Sequence, residues 1–181
     1  MTVEFVNTLW ATLTVGAQLF SLFLILGLFV KPLKNSFAVQ IKFIGENGML
    51  FAGTVALLAT IGSLLYSNYF NYAPCELCWI QRICMYPLAF ILLFAYYRKE
   101  KHMDIYGICL ALAGAVVALY HHFVQLGLNP LNLACGTGTT TVVSCAKVFV
   151  FEFGYITMPL MSFSVLIFIS LLLVAHKRIN I

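Results

Sequence analysis

The stretch PCELCWIQRICMYPLAFILLFAYYR, residues 74 to 98, decides how the rest of the chain is read. Its apolar part from Ile83 to Tyr97 is too short to cross a bilayer, because a hydrocarbon core of about 30 Å takes roughly 20 residues at ~1.5 Å each. A crossing helix must therefore start near Glu76, which puts the span at about 77–97 and carries Arg82 inside its first two turns. A permanent cation at that depth is costly and calls for a functional partner, unless it simply snorkels to the interface. Outward from this stretch lie four more apolar runs of crossing length: Leu9 to Val30, Met49 to Tyr69, Ile105 to Val124 and Met158 to Ala175.

The composition agrees. Of 181 residues, 62% are hydrophobic and 9% charged, with a mean hydropathy of +0.99, against roughly half apolar and a quarter charged in soluble domains. A soluble globular fold is excluded, and 16 Phe, 9 Tyr and 2 Trp exclude a disordered chain. The expected fold class is an all-α membrane protein forming one domain over residues 1–181, with the lipid bilayer as its solvent. The formal charge of +4 comes from basic residues scattered between apolar runs, with no stripe to track phosphates, so nucleic acid is not an expected partner.

The charge reads instead as topology. Lys31, Lys34, Lys42, Arg98, Lys99, Lys101, Lys177 and Arg178 fall on one side, and Arg82 and Lys147 on the other, eight against two. Lys/Arg flanks stay cytoplasmic, which places the N-terminus outside, the C-terminus inside, and the loops 70–76 and 125–157 outside. The first nine residues carry Glu4 and no Lys or Arg, unlike a signal peptide, so the first span is expected to be retained.

Four of the six cysteines then face the oxidising side: Cys75 and Cys78 in the first outer loop, Cys135 and Cys145 in the second. Cys84 and Cys109 fall inside spans and read as small packing residues. A two-residue spacer closes too small a loop to stabilise much as a staple, so Cys75/Cys78 suits electron exchange better. Structural disulfides and a zinc site built from both loops are the alternatives. Pro74 marks a helix start, where unpaired N–H groups and the helix dipole favour a thiolate, and Arg82 lies one turn beyond Cys78. An electron acceptor that becomes negative on reduction, such as a lipid-soluble quinone, would suit that cation. Gly127, Asn129, Pro130, Gly136, Gly138 and Thr139 to Thr141 mark irregular chain around Cys135. Val142 to Phe153 has the pattern of a short stretch on the membrane surface. His121 and His122 end the fourth span and are candidates for carrying protons.

At residues 74 to 87, PCELCWIQRICMYP, the sequence resembles the disulfide bond formation protein B (DsbB) family of bacterial membrane thiol:quinone oxidoreductases, in its short BdbC-like branch. The likeness runs from about Met49 to Ala175 and includes Tyr120-His121-His122, Ser144-Cys145-Ala146 and Gly154 to Pro159. It implies a four-helix bundle, here with one additional N-terminal helix, in the bacterial cytoplasmic membrane. It also implies Cys75 and Cys78 as the pair next to a membrane quinone (menaquinone or ubiquinone), with Arg82 on the family's quinone-binding arginine and His122 on a histidine near the quinone. Cys135 and Cys145 become the pair that meets an extracytoplasmic thioredoxin-like dithiol oxidase. Gln81 departs from the family, standing where other members have an acidic residue; the Cys135 to Cys145 interval is short, and the span Leu9 to Val30 is extra. The expected activity is reoxidation of that dithiol partner, with electrons entering at Cys135 and leaving at Cys78. The competing class is a non-catalytic membrane subunit with structural disulfides or a zinc site in its outer loops.

Overall fold

A computed structural model describes residues 2–29, 38–100, 102–128, 135 and 144–180. In hydrocarbon, backbone N–H and C=O groups find no water, so long apolar runs satisfy them internally as helices. Among the described residues, five helices are long and apolar enough to cross a membrane: α1 (Val3–Phe29), α3 (Gly48–Leu64), α4 (Glu76–Arg98), α5 (Met103–Gln125) and α6 (Met158–Asn180). A shorter helix, α2 (Ala38–Glu46), precedes α3, and a hairpin of β1 (Phe151–Glu152) and β2 (Ile156–Thr157) leads into α6, with Phe151 opposite Thr157. The protein is all-α, built as a multi-pass membrane fold.

Several boundaries differ from those expected. Helix α1 begins at Val3 rather than Leu9, because Asn7 is buried and accepts a hydrogen bond from Tyr66 Oη at 3.0 Å. The loop after the first span contains α2, which carries Lys42; Lys31 and Lys34 lie outside the described residues. Helix α3 passes into a π-helical turn, Leu65–Tyr69, where Phe70 N–H bonds Leu65 O at 3.2 Å. The surface stretch expected over Val142 to Phe153 is irregular from Ser144 to Val150 and then forms β1; Val142 and Val143 lie outside the described residues. So do 129–134 and 136–143, which hold the loop's Asn129, Pro130, Gly136 and Gly138.

Between helices in lipid there is no hydrophobic driving force, and close packing takes its place. A Cβ on Gly48 would lie 2.7 Å from the Leu172 carbonyl oxygen, so α3 and α6 touch backbone to backbone there. Cys84 fills the notch over Gly114, joining α4 to α5. Leu88 and Leu92 of α4 meet Leu166, Ile169, Leu172 and Leu173 of α6 in a core closed to solvent and lipid. At the end where α6 finishes, His176 sits 2.6 Å from the Gly45 carbonyl and 3.9 Å from Asp104.

The other end gathers aromatics. Tyr66 stacks on Tyr72 at 5.9 Å between ring centroids, and Tyr72 on Phe149 at 4.7 Å. This ties the end of α3 to the segment preceding the hairpin. The start of α1 joins the same cluster through Val6 and Trp10. Tyr69, Trp79, Phe153 and Tyr155 are exposed at this end, and Tyr96, Tyr97 and Tyr106 at the opposite one.

Candidate functional site

Cysteine 75 is the N-cap of α4. Its backbone is extended (φ −79°, ψ 176°), and its sulfur accepts the Cys78 N–H at 3.4 Å, satisfying one of the four N–H groups that a helix start leaves unpaired. The same turn brings the Cys75 and Cys78 sulfurs to 3.0 Å, both as free thiols. That hydrogen bond, and then burial, push the Cys75 thiol up to about 12, against an opposing pull from His121. Cys75 therefore holds its proton in the contact between the two sulfurs.

Cys135 and Cys145 are joined by a disulfide, with Cα atoms 5.8 Å apart. Cys145 is 1% exposed, whereas Cys135 is partly exposed. The sulfurs of Cys75 and Cys145 and a ring nitrogen of His121 all lie within 4.8 Å of one another. The four cysteines thus form one chain of sulfurs, from partly exposed Cys135 through Cys145 and Cys75 to Cys78. With Cys145 bonded to Cys135, its sulfur is no thiolate ligand, and the three donors do not form the closed tetrahedral set that structural zinc takes.

His121 is the residue that sequence reasoning left unassigned. Its Nδ1 lies 2.9 Å from the Gln81 amide nitrogen, and its Nε2 lies 3.1 Å from the Cys145 carbonyl and 3.6 Å from the Cys75 sulfur. The Gln81 amide can only donate, so in the neutral ring Nδ1 accepts and Nε2 carries the hydrogen. Gln81, singled out only as a departure from an acidic residue, sets that tautomer. His122, expected near the quinone, bonds Thr157 Oγ1 through Nδ1 at 2.8 Å. Neighbours on a helix point about 100° apart, so one histidine meets the sulfurs and the other meets the start of α6.

Both histidines are placed by how α5 ends. Gly127 takes φ +80°, its N–H bonds Val124 O at 3.1 Å, and the Leu128 N–H reaches Phe123 O at 2.9 Å. This is the Schellman pattern that a glycine allows.

Arg82, one turn below Cys78, donates from Nη2 to the Ser63 carbonyl at 3.4 Å and lies 5.3 Å from the Trp79 ring. The change from α to π just beyond Ser63 shifts the hydrogen-bond register, and the Ser67 hydroxyl caps the same carbonyl at 3.1 Å. A cavity of about 510 Å³ opens beside these groups. Cys78, Gln81, Arg82 and His121 line its sulfur end; His122 is not on its wall, and most of the rest is apolar.

The model of the family described as disulfide bond formation protein DsbB matches residues 46–176. Among curated proteins, the chain is 37% identical over 137 residues to a probable disulfide formation protein C of Halalkalibacterium halodurans, covering 74% of this chain and 96% of that one. It is 39% identical over 108 residues to the SPbeta prophage-derived disulfide bond formation protein B of Bacillus subtilis, covering 60% and 70%. A probable disulfide formation protein of Chlamydia caviae is 38% identical over 136 residues, covering 75% and 95%. No solved structure matches the chain.

Proposed function

The chain belongs to the disulfide bond formation protein DsbB family, and from that premise we propose that it is a disulfide-generating thiol:quinone oxidoreductase that reoxidises an extracytoplasmic thioredoxin-like dithiol protein. The observation that carries the reading is the continuous run of four sulfurs ending at a largely apolar cavity with a cation at its mouth. A lipid quinone fits that donor set: a polar ring beside Cys78 and Arg82, and apolar walls for the remainder. When bound, it supplies a sink for two electrons and two protons.

The residues act in order. A partner thiolate attacks the Cys135 sulfur, the Cys135–Cys145 bond breaks, and Cys145 leaves as thiolate. The partner's second thiol then displaces Cys135 and departs as a disulfide. Cys145 attacks Cys75 of an oxidised Cys75–Cys78 pair, releasing Cys78. Cys135 next attacks Cys145, restoring the loop disulfide and freeing Cys75. The His121 Nε2–H, in reach of the Cys75 sulfur and of the Cys145 carbonyl, donates a hydrogen bond to the thiolate that leaves at Cys75 in this exchange. The loop pair bonded and the helix pair open, as found, is the arrangement this cycle leaves just before the electrons depart. Arg82 stabilises the negative charge that develops at the mouth of the cavity.

The test uses purified protein, a reduced thioredoxin-like dithiol protein and a soluble quinone. Quinone absorbance should fall, and Cys135→Ala or Cys78→Ala should abolish the loss. In Cys145→Ala, Cys135 attacks the oxidised Cys75–Cys78 pair and bonds Cys75; a partner lacking its second cysteine should then displace Cys75 as thiolate and stay trapped as a mixed disulfide on Cys135. A wild-type protein that leaves quinone untouched would make the cysteines structural and overturn the proposal.

A further inference from the structure

Helix α1 lies outside the family match over residues 46–176, yet it supplies one side of the cavity through Trp10, Leu13, Thr14, Gly16, Ala17 and Phe20. Resting on the function proposed above, we infer that α1 is a dedicated wall for the polyprenyl tail of the quinone, and that Gly16 keeps the space the tail occupies.

The helix is built to stay in place. Tyr66 donates to Asn7, the Gln18 amide donates to Ser164 at 2.9 Å, and Tyr155 Oη donates to Gln18 Oε1 at 3.0 Å, so α1 is bonded to α3, α6 and the hairpin at once. Trp10 closes the corner over Gly62, where a Cβ would lie 2.8 Å from the indole. The residues facing the cavity recur at helical spacing, with Thr14 buried, Trp10 and Ala17 half-buried and Leu13, Gly16 and Phe20 exposed at the cavity's open edge, while Leu9, Leu19, Leu22, Ile25 and Leu26 are exposed away from it. Helices α3 and α6 touch at Gly48, but toward the sulfurs the cavity lies between them, and α1 borders it on the lipid side.

Gly16 is the specific sign. A glycine inside a helix lowers its stability, and those at 48, 53, 62, 107 and 114 are all needed for close packing, since a Cβ there would meet a neighbour at 3 Å or less. A Cβ on Gly16 meets nothing within 4 Å, although the residue lines the cavity. Gly16 is itself exposed, so the space it leaves opens the cavity that begins at Arg82 toward the lipid, where a long tail would run out. The cavity's volume is ordinary for a small-molecule site, and its largely apolar lining away from the sulfurs suits an uncharged chain whose ring is held at the polar end.

Indole fluorescence reads binding directly, without turnover. In full-length protein carrying Trp79→Phe, Trp10 is the sole indole, and its quenching is titrated with a prenylated menaquinone and with menadione, the same ring without the tail. The tailed quinone should bind more tightly. Gly16→Phe should weaken it by about tenfold or more and leave menadione unchanged; Ala17→Leu should act the same way and stands in where Gly16→Phe does not fold. Retained Cys135–Cys145 bonding checks the fold. If wild-type protein binds neither quinone, the quinone reading itself falls. If it binds both and the Gly16 and Ala17 variants bind the tailed one unaltered, only the role of α1 is overturned. Equal competition by a saturated phospholipid would make the cavity a general lipid site and also overturn it.

Discussion

Arg82 gives up one donor to the Ser63 carbonyl and keeps the rest of its guanidinium toward the cavity. A hydrogen bond to a charged group is worth about 1.5–3 kcal/mol, so Arg82→Met is expected to raise the quinone concentration for half-maximal rate by roughly tenfold or more. Thiol exchange at Cys135 should be unaffected; steady-state titration of both substrates separates the two. His121→Ala removes the ring between the two cysteine pairs and should slow turnover by about 10²-fold. Stopped-flow mixing of partner with protein should place the loss after the partner's own oxidation, because the contacts of His121 are with Cys75 and Cys145. The cysteine pairs and Arg82 are legible in the sequence, since a two-residue spacer and a four-residue step are local geometry. Which histidine serves them is not: both 121 and 122 are buried on inward faces of α5, and packing of α4 against α5 makes the choice.

Among elements, α4 and α5 depend on the match of Cys84 with Gly114. Alanine at 114 would gain helix propensity, but its Cβ would sit 2.8 Å from Cys84 Cβ and 3.0 Å from Leu166 Cδ1. Overpacking of this kind costs about 1–3 kcal/mol. Gly114→Ala should therefore lower the melting temperature in detergent, and adding Cys84→Gly should recover part of it; a melting temperature unchanged by Gly114→Ala would deny the close approach. Apolar runs reveal the crossing helices because composition alone forces them. Helix α2, the π turn and the early start of α1 escape that reasoning, since each rests on a distant partner: Ile179 against Gly45, Arg82 at the Ser63 carbonyl, and Tyr66 on Asn7.

For the whole molecule, the start of α1 and both cysteine pairs share one end, and Glu100 lies at the other. Single cysteines at the exposed Thr8 and Glu100 positions test sidedness: an impermeant thiol reagent added outside intact cells should label the first and not the second, and the reverse would invert the molecule and strand the loop pair in a reducing compartment. The juxtaposition of Cys145 with Cys75 was not readable from sequence, because sixty-nine intervening residues and two helices set it. The exposed aromatics at the two ends carry a last consequence. Trp and Tyr settle at membrane–water boundaries, and Trp79 and Tyr96 are seventeen residues apart on α4, about 26 Å at ~1.5 Å per residue. That marks a water line one residue from Cys78. If, under the proposed function, thiol protons are released at that line and the protons for quinone reduction are drawn from the same aqueous phase, a complete turnover moves no net charge through the bilayer. In sealed vesicles the rate should be indifferent to a membrane potential imposed or collapsed with ionophore.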